Sequence, residues 1–177
     1  QGSFENLTKS GDRLNLGLTL SNKDMHNYSL SYSHPIGADG TTIGLGVSRM
    51  DYELSGAFRR LGAEGTADTF SLFGTTPLYR TAKSALTLAY GWDYRRLKDE
   101  YKRVGMELEK HSSTFRLGLK GEERHGRTAL TYDLTAYAGS ITPDSDWTRL
   151  QMRRAGTEGG FTKAVLNFNL RQALGDR

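Results

Sequence analysis

The sequence predicts an all-β protein: an antiparallel, up-and-down transmembrane β-barrel, with eight strands read in a single domain over residues 1–177. Two observations predict it. Short stretches alternate apolar with small or polar residues at period two, which places one residue type on each face of a strand. The polar face is built mainly of Ser, Thr, Gly and Asn, which is too small and too poor in charge for a typical solvated exterior. A soluble barrel would turn its apolar face inward and a charged face outward. Here the pattern suits an apolar exterior around a wet lumen.

The clearest stretch is Ser84 to Leu97, which sets Leu86, Leu88, Tyr90, Trp92 and Tyr94 against Thr87, Ala89, Gly91, Asp93 and Arg95. Its aromatic residues crowd towards one end of the apolar face, where a membrane strand crosses the headgroup level. Tyr28, Tyr32, Tyr90, Trp92, Tyr94 and Tyr132 are the membrane-interface aromatics on this reading.

In chain order, the first strand spans Asp12 to Ser21, with four leucines at alternate positions, and Asn22 to Asn27 is a polar connection. Tyr28 to His34 sets Tyr28, Leu30 and Tyr32 against serines, then stops at Pro35-Ile36-Gly37. Ala38-Asp39-Gly40 is a tight turn. The third strand starts at Thr41, and its phase slips near Ser48-Arg49, after which Met50, Tyr52 and Leu54 are the apolar set. A bulge or the end of the apolar band explains such a slip. Ser55 to Gly65 reads as a basic loop, Thr66 to Thr76 as a strand ended by Pro77, and Leu78 to Lys83 as a link. Lys98 to Lys110 reads as a long charged loop, His111 to Lys120 as a strand and Gly121 to Arg127 as a turn. Thr128 to Gly139 and Gly160 to Gln172 are the last two strands, joined by a long connection from Ser140 to Gly159. Within that connection Trp147 to Arg154 is long enough for a short helix, although its apolar spacing is sparse. Short and long connections therefore alternate, as the two ends of an outer-membrane barrel do.

Composition narrows the alternatives. The 177 residues include 21 Gly, 3 Pro and no Cys, so disulfides and thiolate metal sites are excluded. No apolar run approaches the roughly 20 residues of a membrane helix, an absence that says nothing of alternating strands. The formal charge of +4 is dispersed and marks no nucleic-acid stripe. The opening Gln1-Gly2-Ser3 reads as a processing remnant.

Several phrases carry a resemblance. Gly11-Asp12-Arg13-Leu14, Tyr32-Ser33-His34-Pro35-Ile36-Gly37 and Asp51-Tyr52-Glu53-Leu54-Ser55-Gly56 resemble strand ends of two-partner-secretion transporters, the hemolysin-activator family. So do Gly62-Ala63-Glu64-Gly65-Thr66-Ala67, Pro77-Leu78-Tyr79-Arg80 and Tyr94-Arg95-Arg96-Leu97-Lys98-Asp99, in that order along nearly the whole chain. The resemblance implies a sixteen-stranded outer-membrane pore. Such a pore exports a secreted adhesin or hemolysin without nucleotide hydrolysis or any cofactor. It aligns this chain with strands three to ten of that barrel, without the periplasmic POTRA domains or the C-terminal strands. Outer-membrane lipid and the exported protein are the implied partners. The edges of eight strands must close, pair with another copy by self-association, or be completed by further strands.

Candidate pore-lining residues are the ionisable groups of the polar face: Asp93, Arg95, Arg116, Lys120, Asp133 and Lys163. Such groups either tune passage of a chain or hold register as cross-strand pairs, and the second reading is the simpler. Arg59, Arg60, Arg149, Arg153 and Arg154 fall in long loops, solvated or facing lipopolysaccharide. His26, His34, His111 and His125 have no zinc spacing, and no Ser-His-Asp set, carboxylate pair or phosphate loop is present. An enzyme is therefore not expected. The alternative function is a small structural or adhesive outer-membrane barrel that acts through its loops.

Overall fold

The computed structural model describes residues 2–21, 25–53, 63–103, 105–155 and 159–172. Nine strands follow one another as β1 Gly2–Glu5, β2 Arg13–Ser21, β3 Met25–Ile36, β4 Thr41–Glu53, β5 Ala63–Arg80, β6 Ser84–Tyr101, β7 Met106–His125, β8 Thr128–Pro143 and β9 Gly159–Gln172. A single helix, α1 (Asp146–Ala155), lies between β8 and β9. Each strand pairs antiparallel with the next, in the spatial order β1 to β9. Among the described residues β1 and β9 do not pair, so the sheet is open along both edges.

The alternation seen in the sequence becomes two faces. One register row runs Phe4, Leu14, Tyr32, Leu45, Leu72, Trp92 and Phe115 across seven strands. The row beside it on the opposite face runs Ser3, Asn15, Ser31, Gly46, Ser71, Asp93, Thr114 and Gly139. The apolar face is bare: Leu117 is 56% exposed, Leu166 62% and Phe168 73%. Among the described residues the buried hydrophobic side chains are Ala67 and Met152 alone, so no core lies beneath either face. A soluble domain of this size would bury most of its large apolar side chains and expose only small apolar patches.

The apolar band has a sharp upper limit. On β6 it runs from Leu86 to Tyr94 and then gives way to Arg96 and Lys98 on the same face. That stretch covers about 27 Å along a strand, or about 21 Å across a bilayer at a tilt of roughly 40°. The boundary is one register row: Arg49, Asp68, Arg96 and His111. Arg49 reaches Asp51 at 3.4 Å and Asp68 at 3.7 Å, so this rim is held by exposed ion pairs. The phase slip at Ser48-Arg49 is therefore the end of the band. β4 pairs with both neighbours without a register shift, so there is no bulge there.

Several expectations are corrected. There are nine strands, not eight, because Gly2–Glu5 pairs with β2 instead of trailing as a remnant. Lys98 to Lys110 is not a loop: β6 and β7 continue as a paired ribbon to Tyr101 and Met106. Its charges are satisfied across the ribbon, with Lys98 Nζ 2.7 Å from Glu107 and 3.6 Å from Glu109. The alternation of connection lengths is weaker for that reason, and persists in 54–62 and 144–158. β5 starts at Ala63 and runs through Pro77 to Arg80, absorbing the proline at a register shift between Pro77 and Tyr79. β3 likewise includes Pro35, and β7 extends to His125, leaving a two-residue turn at Gly126-Arg127. The remainder of the basic loop, 54–62, lies outside the described residues.

Turn chemistry explains the tight ends. At residues 37–40 Gly37 and Gly40 take φ of +70° and +83°. There the Thr41 hydroxyl donates to Asp39 Oδ2 at 2.8 Å and its backbone N–H donates to Asp39 Oδ1 at 3.1 Å. Those bonds hold the Asp39 carboxyl below the usual carboxylate range. The β8–β9 connection forms a helix because Ser145 caps it, accepting from the Thr148 N–H at 3.1 Å. Asp146 in its first turn and Arg153 and Arg154 in its last complement the helix dipole.

Candidate functional site

All six ionisable residues picked out on the polar face lie there, in four register rows. The centre of the group is Asp93. Arg116 Nη1 donates to its Oδ2 at 2.7 Å and Ser71 Oγ donates to its Oδ1 at 2.6 Å. One carboxylate thus ties β5, β6 and β7 together, and both oxygens are occupied. Arg95, one alternation along β6, donates through Nε to Thr69 Oγ1 at 3.1 Å. Lys120 and Asp133 are direct cross-strand partners, 3.4 Å apart, and Thr135 Oγ1 donates to the same carboxylate at 2.8 Å. Lys163 is the register partner of Tyr137 and places its ammonium 4.8 Å from that ring. The charges are therefore spread over β6 to β9 as local pairs; they do not converge on a point.

Sequence reading missed other members of this face. Arg13 pairs with Glu5 at 3.0 Å, an ion pair invisible without β1. Tyr52 donates to Asp99 at 2.6 Å, and Lys110 approaches the same carboxylate at 3.7 Å, above the apolar band. The alternation of Leu97, Asp99 and Tyr101 with Lys98 and Glu100 was the available signal, masked by the density of charge. Asn15 Nδ2 donates to Ser31 Oγ at 3.3 Å, a neutral link in the same wall.

The six aromatics lie on the apolar face, spread along the band. Trp92 packs with Phe70, Tyr94 and Phe115 at centroid distances of 6.2, 6.3 and 6.4 Å, just below the charged row. Its indole N–H donates to Ser113 Oγ at 2.7 Å, so the one polar atom of the ring is satisfied. Tyr28 is the register partner of the boundary residue Arg49 and Tyr94 is one alternation from Arg96, whereas Tyr32 shares the Trp92 row and Tyr90 sits one alternation deeper. Tyr132 belongs to the far end, facing Gly121 on β7 and Phe168 on β9. Arg149, Arg153 and Arg154 lie on α1, which packs against β7 and β8, and Arg59 and Arg60 fall outside the described residues. Among the described residues no cluster of His, Asp and Glu could hold a metal ion.

The arrangement offers a sheet that is apolar on one face and polar, with paired charges, on the other. The family model for haemolysin secretion/activation protein ShlB/FhaC/HecB matches residues 2–175. The heme/hemopexin transporter protein HuxB of Haemophilus influenzae is 27% identical over 128 residues, which is 72% of this chain and 23% of that protein. The chain thus spans under a quarter of this relative's length. The solved structure of CdiB from Acinetobacter baumannii superposes with a TM-score of 0.60 at 14% identity, over 78% of this chain and 30% of CdiB, a likeness of fold. The chain belongs to the ShlB/FhaC/HecB family of two-partner-secretion transporters and is an outer-membrane β-barrel protein.

Proposed function

We propose that this sheet is one part of the wall of a protein-conducting pore, through which a secreted partner protein crosses the outer membrane. The observation that carries the reading is the bare apolar face opposite a hydrogen-bonded polar one, in a sheet with open edges. Lipid satisfies the first face and water the second. Lipid does not satisfy the edges, because every unpaired backbone group in hydrocarbon costs several kcal/mol. Nine strands closed on themselves would also leave an interior nearly filled by side chains. The Ser, Thr and Gly of this face would fill it badly. Further strands on β9 and β1 resolve both difficulties and widen the lumen to admit a polypeptide.

In this pore the charged residues Asp93, Arg95, Arg116, Lys120, Asp133 and Lys163 line the lumen, and their pairing keeps the wall in register. The aromatics Tyr28, Tyr94, Trp92 and Tyr32 mark one interface and Tyr132 the other. Tyr90 belongs to the lipid-facing band between them. HuxB is named for heme and hemopexin. The likeness to it spans pore wall, and the wall described here carries no feature that selects a cargo.

Reconstitution of the mature protein into planar bilayers tests the reading. A wide pore gives stepwise, ohmic conductance events, and deletion of the gene abolishes release of the partner protein. A mature protein that inserts but never conducts would point to a filled structural or adhesive barrel instead.

A further inference from the structure

The polar face gathers several long side chains in one row. The row Gly44, Phe73, Gly91, Arg116, Tyr137 and Lys163 crosses β4 to β9 in register. The rows on either side hold Thr75, Ala89, Gly118, Thr135 and Val165, and Gly46, Ser71, Asp93, Thr114, Gly139 and Phe161. Four bulky groups standing upright in this one row would narrow any lumen they face. Three of them do not stand upright. The Phe73 ring lies over Gly44, where an added Cβ would meet Cε2 and Cζ at 2.6 Å. The Arg116 guanidinium lies over Gly91, where an added Cβ would meet Nε at 2.7 Å and Cζ at 3.0 Å. Lys163 lies over the Tyr137 ring. Each of these three leans towards the strand before it, over a bare glycine or a neighbouring ring.

We propose that Gly91 is a positioning residue for the conduit: its missing side chain forms the recess that keeps Arg116 flat against the wall, where Asp93 clamps it, and so keeps the lumen clear at this row. This inference rests on the pore reading above. Two contacts define the recess, the floor given by Gly91 and the 2.7 Å bond to Asp93. At 34% side-chain exposure Arg116 is neither buried nor free, as befits a group lying along a wet surface. Adding a methyl group at position 91 evicts only the far end of a flexible side chain, so the strand stays intact while the guanidinium moves into the lumen. Gly44 differs, because a Cβ there would also meet the backbone oxygen of Tyr32 at 2.7 Å, and its substitution strains the sheet itself.

The test compares unitary conductance of the mature protein, Gly91→Ala, and Gly91→Ala combined with Arg116→Ser, in planar bilayers. All three are first shown to keep the heat-modifiable mobility of a folded barrel. Gly91→Ala is expected to lower unitary conductance on the order of ten to thirty per cent through added bulk in the lumen. The double variant, which lacks the displaced group, is expected to conduct at least as well as wild type. An unchanged conductance in Gly91→Ala, a loss that the double variant does not restore, or failure of Gly91→Ala to fold would overturn the inference and leave the pore reading standing. A wild-type protein that does not conduct would overturn the pore reading, and this inference with it.

Discussion

Arginine in place of Leu117 is expected to cost about 2–4 kcal/mol of folding stability in a bilayer, the depth-dependent penalty for a charge on the lipid face near the midplane. In equilibrium terms that is roughly thirty- to several-hundred-fold. Leu117 sits between Phe115 and Leu119 on β7, flanked by Tyr90 on β6 and Ala136 on β8, and is 56% exposed. The same exposure in a soluble protein leads to the opposite expectation, since an unpartnered surface leucine can be replaced within about 0.5 kcal/mol. Thr114→Arg provides the internal control. Thr114 is on the polar face of the same strand, directly across from Asp93, and a cation there should change stability by less than about 1 kcal/mol. Urea-titrated folding of the mature protein into phospholipid vesicles, read as the SDS-resistant fraction on unheated gels, measures both variants. Equal tolerance of arginine at 117 and 114 would remove the lipid from the account.

The second large effect concerns β9, the strand with nothing beyond it in the described structure. Val165 and Leu166 are consecutive in its middle, opposite Thr135 and Leu134. Successive strand residues direct their N–H groups to opposite sides, so one of the two bonds β8 and the other points away from it. An edge strand left to solvent tolerates proline where its N–H faces outward. If further strands complete the wall, both N–H groups are engaged, and Val165→Pro and Leu166→Pro each forfeit several kcal/mol. Both variants are therefore expected to lose the folded band and to fall below detection in outer-membrane fractions. Wild-type amounts of either variant would show that the far side of β9 is unpaired.

The strands were legible because lipid and water impose the period-two pattern directly: Leu14, Leu16, Leu18 and Leu20 can alternate with polar residues only if two different solvents lie on the two sides. The charged ribbon from Lys98 to Lys110 was not legible, because above the bilayer both faces are wet. There the strand signal is which charges oppose one another, and Lys98 against Glu107 and Glu109 appears only once register is known. β1 is four residues long, too short to show a period. Among the described residues of helix α1, Thr148 and Met152 are the buried ones, one turn apart, which gives helical spacing with a single repeat. The candidate wall divided in the same way. Parity along each strand placed Asp93, Arg116, Asp133 and Lys163 on one face from the sequence. Their partners depend on register between strands, which turns and bulges set and composition does not.

The chain has no cysteine, so a single introduced thiol reports on its own position. Cysteines placed one at a time at Thr114, Phe115, Arg116, Leu117, Gly118 and Leu119 on β7, in the mature protein in native outer membranes, test the two-solvent account most directly. A membrane-impermeant maleimide should label positions 114, 116 and 118, on the polar face, and spare 115, 117 and 119, on the apolar face. Labelling in the reverse order, or without alternation, would contradict it.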